Sequence, residues 1–172
     1  PALAQCFTRD RAILVVEIES QSGPVGRGYQ LYLREGFRTT KACLEEIIVP
    51  RIMGRDASEI EGIWRDIYTT TIADGRGGAQ LLALSIIDVA LWDIVGQAAG
   101  LPLHRLWGHY RSEVPVYGSG VWRGLGGEGM AEKAQRFVDE GYRAVKSQVG
   151  HIWSDDEDVA NTGMIRDAVG PD

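Results

Sequence analysis

Residues 79–98 constrain the fold most, because this stretch is apolar on nearly every side when drawn as a helix. Three polar residues, Ser85, Asp88 and Asp93, interrupt it, which favours a buried helix over a membrane span. Residues 100–102, Gly-Leu-Pro, form a strong helix stop: a left-handed cap, an apolar contact and a residue that cannot continue the helix. Other elements of the chain must therefore cover this helix.

A β-hairpin is predicted before this helix. Residues 12–20 are rich in β-branched side chains and alternate towards their end, which is typical of a strand. A Ser-Gly-Pro turn follows, and residues 25–33 form the returning strand. Gly26 and Gly28 permit a close approach or a bulge there. A hairpin alone is marginally stable, so helices are expected to cover it.

Two further helices are predicted between the hairpin and the apolar helix. Threonines 39 and 40 can cap the first, which is expected to run to about residue 49 and to stop at Pro50. An Asp-x-x-Glu pattern at residues 56–59 predicts a capping box for the second. Its apolar side chains recur at the spacing of a single buried helix face.

The rear part of the chain alternates between strands and helices. Strands and helices are predicted in the order 114–117, 130–139, 144–149 and 155–169. This order and spacing imply parallel strands joined by right-handed crossovers. We therefore predict two domains: an α+β domain over residues 1–110, which includes the linking helix, and a β/α domain over residues 111–172.

Composition and charge narrow the class of function. The net charge is −6 and charges of both signs are interleaved, so the basic face of a nucleic-acid binder is not expected. Cys6 and Cys43 lie far apart and are expected to be reduced thiols. Residues 1–10 lack the pattern of a signal peptide, so a cytoplasmic location is the default expectation. No CxxC or HExxH metal signature occurs.

The strand at residues 144–149 carries the most informative polar groups. Strand alternation puts Lys146 and Gln148 on one face and the flanking valines on the other. If the valines pack beneath helices, the polar pair points into the sheet interior or a barrel lumen. It would lie at the carboxyl end of the strand, where β/α barrels place catalytic groups. The alternative is a lysine whose ammonium simply reaches solvent.

The remaining polar candidates are weaker. Ser119 can contact a substrate or can bond only to local backbone. Asp88 and Asp93 lie on different helix faces and are expected to be buried or interfacial residues with hydrogen bonds. Three histidines show no ligand-like spacing and are expected on the surface or in loops: His104, His109 and His151.

Three motifs together resemble a known family. Residues 83–103 with Leu-Trp-Gly at 106–108 look like a helix that joins a capping domain to a barrel. Residues 114–119 look like a first barrel strand. Residues 141–150 look like a second strand, in which the family carries a Lys-x-Lys pair. The family that these motifs resemble is mandelate racemase/muconate lactonising enzyme, a branch of the enolase superfamily, and the resemblance covers nearly the whole chain.

The resemblance implies an α+β capping domain without its first strand, followed by the start of a (β/α) TIM-type barrel that is incomplete here. It implies Mg²⁺ held by carboxylates on the third to fifth strands, which would follow Asp172, so no metal ligand is expected in this chain. Capping-domain loops around residues 1–10 and 32–38 would close over a small carboxylate substrate. Homo-oligomers are common in the family, and neither membrane nor nucleic-acid binding is expected.

The implied reaction is removal of a proton α to a carboxylate, with metal and cationic groups stabilising the enediolate. Lys146 matches the first position of the family's pair, which assists the substrate carboxylate. Gln148 replaces the basic lysine at the second position, and an amide cannot abstract a proton near neutral pH. Racemisation needs a base on each face, so dehydration of a hydroxy or sugar acid is favoured.

Other readings stay open at this point. A racemase or epimerase of the same family is one, and a catalytically inactive homologue that acts as a binding protein is another. Without the resemblance, a flavodoxin-like α/β module that binds a ligand at its strand ends is a third. Two barrel strands alone would expose unpaired edges, so these residues by themselves are expected to be inactive.

Overall fold

The structure, a computed structural model, describes residues 12–32, 36–73, 75, 77–150 and 153–171. The chain divides into two units, Pro1–Tyr110 and Arg111–Asp172. The first contains strands β1 (Ala12–Glu19) and β2 (Val25–Tyr32), helix α1 (Phe37–Cys43), a π-helical segment (Leu44–Ile48), and helices α2 (Val49–Ile52), α3 (Ile60–Thr71), α4 (Gly78–Ala99) and α5 (Leu103–Leu106). The second contains β3 (Gly118–Val121), a 3₁₀ turn (Arg123–Leu125), α6 (Gly126–Asp139), β4 (Val145–Ser147) and α7 (Asp155–Val169).

The predicted hairpin is confirmed, and its two glycines explain how it meets the apolar helix. β1 and β2 pair antiparallel. A Cβ added at Gly26 would overlap the carbonyl oxygen of Ala90, and one at Gly28 would overlap that of Ile86. Helix α4 therefore lies directly against the backbone of β2, at a distance that only glycine allows.

Helix α4 is the centre of the first unit's core. Its buried side chains pack with those of the π-helical segment and α3; the cluster comprises Leu44, Ile48, Ile60, Ile63, Ile67, Ala83, Leu84, Ile86, Ile87 and Leu91. By length and composition alone α4 could cross a membrane. In this unit it instead contacts β1, β2, α1 and α3, as the sequence predicted for a helix that is apolar all round.

The end of α4 is also confirmed. Gly100 adopts a left-handed conformation with φ 62°. The backbone N–H of Leu101 donates to the carbonyl of Gly96 at 3.1 Å. This is the Schellman arrangement that the Gly-Leu-Pro sequence predicts.

Three local predictions in the first unit were wrong. Threonines 39 and 40 do not cap the first helix, because α1 already begins at Phe37, after Gly36, and both threonines lie inside it. Pro50 does not stop its helix: the chain stays helical from the π-helical segment into α2, and Pro50 lies in the first turn of α2. Asp56 does not form a capping box. Its carboxylate accepts from both the backbone N–H and the hydroxyl of Ser58, each at 2.8 Å, and α3 begins only at Ile60. These bonds, the backbone one first, lower the pKa of Asp56.

The first strand of the second unit lies later than predicted. β3 spans Gly118–Val121 rather than residues 114–117, whose side chains are exposed. Pro115 has no N–H to donate to a ladder. The ladder begins where the N–H of Gly118 donates to the carbonyl of Ala144 at 2.9 Å. β3 and β4 pair in parallel, as the strand–helix alternation predicts.

The helices of the second unit cover one side of this sheet. α7 has the predicted bounds, whereas α6 starts at Gly126, four residues earlier than expected. Its first turn lies against α7 at Gly127, where an added Cβ would collide with the side chain of Asn161. The buried core consists of Val121, Met130 and Ala134, with Phe137 and Val145 among the residues packed against it.

Candidate active site

The parallel ladder brings the three predicted site residues to two adjoining strands. Ser119 and Lys146 are register partners in β3 and β4. The backbone N–H of Gln148, one residue beyond β4, donates to the carbonyl of Val121 at 3.1 Å. The register is irregular between Ser119 and Val121, where Gly120 has φ 129°. Ser119 thus lies within β3, whereas the predicted strand at residues 114–117 would have placed it after the strand.

The side chains on the two faces of β4 differ in exposure. Val145 packs against the core beneath the helices, while Lys146 is exposed and Gln148 is half-buried. Val149 was expected to pack with Val145, but it is 57% exposed. The reason is that β4 ends at Ser147, so strand alternation does not continue to residue 149. Among the described residues Lys146 is therefore open to solvent rather than enclosed.

Two side chains hold the backbone that follows Gln148. The Arg123 guanidinium donates from Nη1 to the carbonyl of Val149 at 3.3 Å and to that of Gly150 at shorter range. Asp158 accepts from the N–H of Gly150 through Oδ2 at 2.6 Å. Bonds to charged groups are stronger than neutral ones, so this loop is fixed from two sides.

Sequence reasoning missed Arg123 and Asp158. The signals available were an arginine two residues after the end of β3 and an acidic residue in the first turn of α7. Both patterns are common, and neither indicates that the two side chains bind the same loop. The carboxylate oxygen Oδ1 of Asp158 is buried and has no hydrogen-bond partner in the part of the chain that the structure describes.

The charge of Lys146 is available to an anion. Within the described ranges no carboxylate lies at ion-pairing distance from its ammonium. The hydroxyl of Ser119 lies on the neighbouring strand, and the amide of Gln148 can donate a hydrogen bond but cannot act as a base. Together the Lys146 ammonium and the Ser119 hydroxyl can bind a carboxylate and stabilise negative charge on it.

The described residues do not supply a magnesium site. They include no group of three or more histidine, cysteine, aspartate or glutamate side chains that could hold a metal ion. Ser119, Lys146 and Gln148 offer no carboxylate, the ligand that Mg²⁺ prefers.

The other candidates of the first unit differ in their surroundings. Asp93 accepts from the backbone N–H of Arg27 at 2.9 Å, which confirms the expectation of a hydrogen-bonded residue. For Asp88 that expectation was wrong within the described residues: it is half-buried without a hydrogen bond, and burial, followed by repulsion from Glu61, raises its pKa. Cys43 is a free thiol whose pKa is raised by burial first and by the nearby Glu46 second.

Several predictions concern positions outside the described residues. They are the loop at residues 1–10, residues 33–35 of the loop at residues 32–38, and the placements of Cys6 and His151. They stay predictions.

Comparison with known proteins identifies relatives of this chain. Residues 2–108 match the model of the mandelate racemase/muconate lactonizing enzyme N-terminal domain. The chain is 34% identical over 161 residues to 3,6-anhydro-alpha-L-galactonate cycloisomerase of Streptomyces coelicolor, an alignment that covers 94% of this chain and 44% of the relative. It is 35% identical over 142 residues to D-mannonate dehydratase of Rhizorhabdus wittichii, covering 82% of this chain and 34% of that protein.

A solved structure is also similar to this chain. The crystal structure of a racemase from Streptomyces coelicolor A3(2) with bound magnesium superposes with a TM-score of 0.86 at 34% identity. The match covers 94% of this chain and 45% of that one. The chain thus spans less than half the length of these relatives. The predicted fold class, an α+β capping domain followed by the start of an incomplete barrel, is confirmed. The chain belongs to the mandelate racemase/muconate lactonizing enzyme family of the enolase superfamily.

Proposed function

We propose that this chain is part of a cytoplasmic, Mg²⁺-dependent enzyme that removes a proton α to a carboxylate and dehydrates a hydroxy or sugar acid through an enediolate. The observation that carries the proposal is the pairing of Ser119 with Lys146, followed by the neutral Gln148. The D-mannonate dehydratase relative supports a sugar acid as substrate and loss of water as the reaction. The racemase structure with bound magnesium supports the metal.

The roles of this chain's residues follow from their chemistry. The ammonium of Lys146 and the hydroxyl of Ser119 would donate to the substrate carboxylate, where negative charge grows as the enediolate forms. The amide of Gln148 would donate a hydrogen bond to a substrate oxygen. Arg123 and Asp158 would keep Gln148 in place by holding the next residues.

The base and the metal ligands are proposed to lie in the part of the relatives' length that this chain does not span. In dehydration, one base takes the α-proton and an acid protonates the departing hydroxide, so water leaves and an enol remains that becomes a keto acid. Because residue 148 is a glutamine, this strand lacks one of the two bases that racemisation requires. An isomerase reaction on an acid of the same class is the second candidate, and the cycloisomerase relative favours it.

The test uses the full-length protein with Mg²⁺ and a panel of sugar acids in D₂O. Nuclear magnetic resonance follows deuterium at the α-carbon, and a carbonyl reagent follows keto-acid formation. Keto acid formed with loss of water supports the dehydratase. Exchange that yields an isomer without water loss supports the second candidate. No exchange with any acid would overturn the proposal in favour of an inactive homologue.

A variant of Lys146 tests whether this chain contributes to the activity. Lys146→Met keeps the length of the side chain and removes the ammonium, and it should lower kcat/KM at least about 100-fold because the charge that stabilises the enediolate is lost. Arg143→Met is the matched control, since Arg143 is an exposed cation next to the same strand. Homo-oligomeric assembly stays a prediction.

A further inference from the structure

Two histidines that look unrelated in sequence lie side by side in the first unit. The imidazole ring centroids of His104 and His109 are 5.3 Å apart, with 48° between the ring planes. Both residues are exposed. Five positions separate them along the chain, which is not the helical spacing of a metal-binding pair, so the sequence had placed them as independent surface residues.

The turn that ends α5 brings them together. The N–H of His109 donates to the carbonyl of His104 at 2.9 Å, and the N–H of Gly108 donates to the carbonyl of Arg105 at 3.2 Å. With Gly108 at φ 99°, this is a Schellman motif. The two positions that meet across such a motif usually carry an apolar contact. Here both carry an imidazole.

The backbone holds the pair in a costly conformation. His109 has φ 30° and, in the described part of the chain, is the residue other than glycine with a positive φ. A left-handed backbone is unfavourable for a side chain with a Cβ. The neighbouring Trp107 packs edge-on against Trp92 of α4, with ring centroids 5.3 Å apart, and this contact anchors the turn to the core helix.

We propose that His104 and His109 form a surface site for a divalent first-row transition ion such as Ni²⁺ or Zn²⁺. Two imidazoles that bind one ion through nitrogen at about 2.0–2.1 Å place their ring centroids about 5 Å apart at the tetrahedral angle of Zn²⁺, and about 4.5 Å apart at the right angle typical of Ni²⁺. The observed separation of 5.3 Å is close to the tetrahedral value, and both side chains are exposed. Neutral imidazole suits Zn²⁺ and Ni²⁺, whereas Mg²⁺ requires oxygen ligands. Water would complete the coordination shell of the bound ion.

The test is a calorimetric titration of the full-length protein with Ni²⁺, in Mg²⁺ high enough to saturate any magnesium site. One Ni²⁺ site is expected, and His104→Ala and His109→Ala should each weaken it at least about tenfold, because each removes one of two ligands. Arg105→Ala is the matched control: it removes an exposed cation of the same turn and should leave Ni²⁺ affinity equal or tighter.

A second variant separates loss of the ligand from loss of the fold. His109→Gly removes the imidazole but suits the positive φ, so it should raise Tm and still lose the Ni²⁺ site. Equal Ni²⁺ affinity in the wild type, His104→Ala and His109→Gly would overturn the proposal. So would a loss of affinity in Arg105→Ala as large as that in the histidine variants. Because the measurement is binding and not turnover, its outcome is independent of the proposed dehydratase activity.

Discussion

Ser119 and Lys146 are direct partners in the parallel ladder of β3 and β4. Side chains of paired residues on adjacent parallel strands lie on the same face of the sheet. The opposite face is occupied by Val145, which packs against the helices. A hydroxyl and an ammonium thus share the side of the sheet on which both side chains are exposed in the described part of this unit, and the proposed carboxylate binding depends on this relationship.

Replacing Gln148 by lysine should allow proton exchange on a second face of the substrate's α-carbon. Gln148→Lys supplies a titratable amine at the position that carries the basic lysine in the family pattern. In D₂O with a substrate acid, deuterium should then enter the α-carbon from both faces, which NMR of the recovered acid detects. Gln148→Met is the control of similar length without a base. Unchanged stereochemistry of exchange in Gln148→Lys would show that the residue is misplaced in the proposed site.

Removing either group that holds the loop after Gln148 should loosen that loop. Asp158→Ala deletes the acceptor of the Gly150 N–H, a bond to a charged group that is worth about 1.5–3 kcal/mol. Amide hydrogen exchange at Gly150 should accelerate about tenfold or more, and Arg123→Ala should act in the same direction through the carbonyls of Val149 and Gly150. The exposed Arg143→Ala is the control. Exchange at Gly150 that stays at the wild-type rate in Asp158→Ala would contradict this role.

The hairpin and the central helix were predictable because their signals are local and strong. Alternation marked β1, continuous apolarity marked α4, and Gly100 marked its end. The close approach at Gly26 and Gly28 was predictable as one of two options, since glycine in a strand indicates either a bulge or a near neighbour. Sequence alone could not say which, because the neighbour is a helix about 60 residues away in the chain, as the partner Ala90 of Gly26 shows.

Predictions failed where tertiary contacts or alternative hydrogen bonds decided the result. Pro50 predicts a helix end, but a π-helical segment rarely leaves a sequence signal, and it let the helix continue. Residues 114–117 have the composition of a strand, yet the ladder partners of β4 begin at Gly118. The His104–His109 pair was missed because a Schellman turn, and not a helical repeat, brings the rings together.

The contact between β2 and α4 should make Gly28→Ala strongly destabilising. The added Cβ would overlap the carbonyl oxygen of Ile86, a backbone atom that cannot move without shifting the helix. A loss of about 2–4 kcal/mol in the free energy of unfolding is expected from chemical denaturation. Gly62→Ala in α3 is the control, since its Cβ would meet only the Arg55 side chain at 3.5 Å. That variant should gain about 0.4–1 kcal/mol. Similar losses in both variants would mean that helix contact is not the cause.

Asp88 should destabilise the fold at neutral pH, because burial, and then repulsion from Glu61, raises its pKa above the ordinary value of 3.8. The unfolded chain then releases this proton at a lower pH than the folded chain does. The penalty is absent below the ordinary value, grows as pH rises through it, and is complete above the folded pKa. Asp88→Asn should therefore stabilise the protein at pH 7 and have no such effect near pH 3.

The size of this effect should be modest, because Asp88 is only half-buried and water screens it. We expect a gain of up to about 0.5 kcal/mol at pH 7, measured by denaturation across the pH range. Glu61→Gln should recover part of the gain, since it removes the like charge but leaves the burial unchanged. Glu113→Gln, at an exposed loop carboxylate, serves as the control. A difference between Asp88→Asn and wild type that is the same at pH 3 and pH 7 would assign the effect to packing, because only a titrating charge makes it vary with pH.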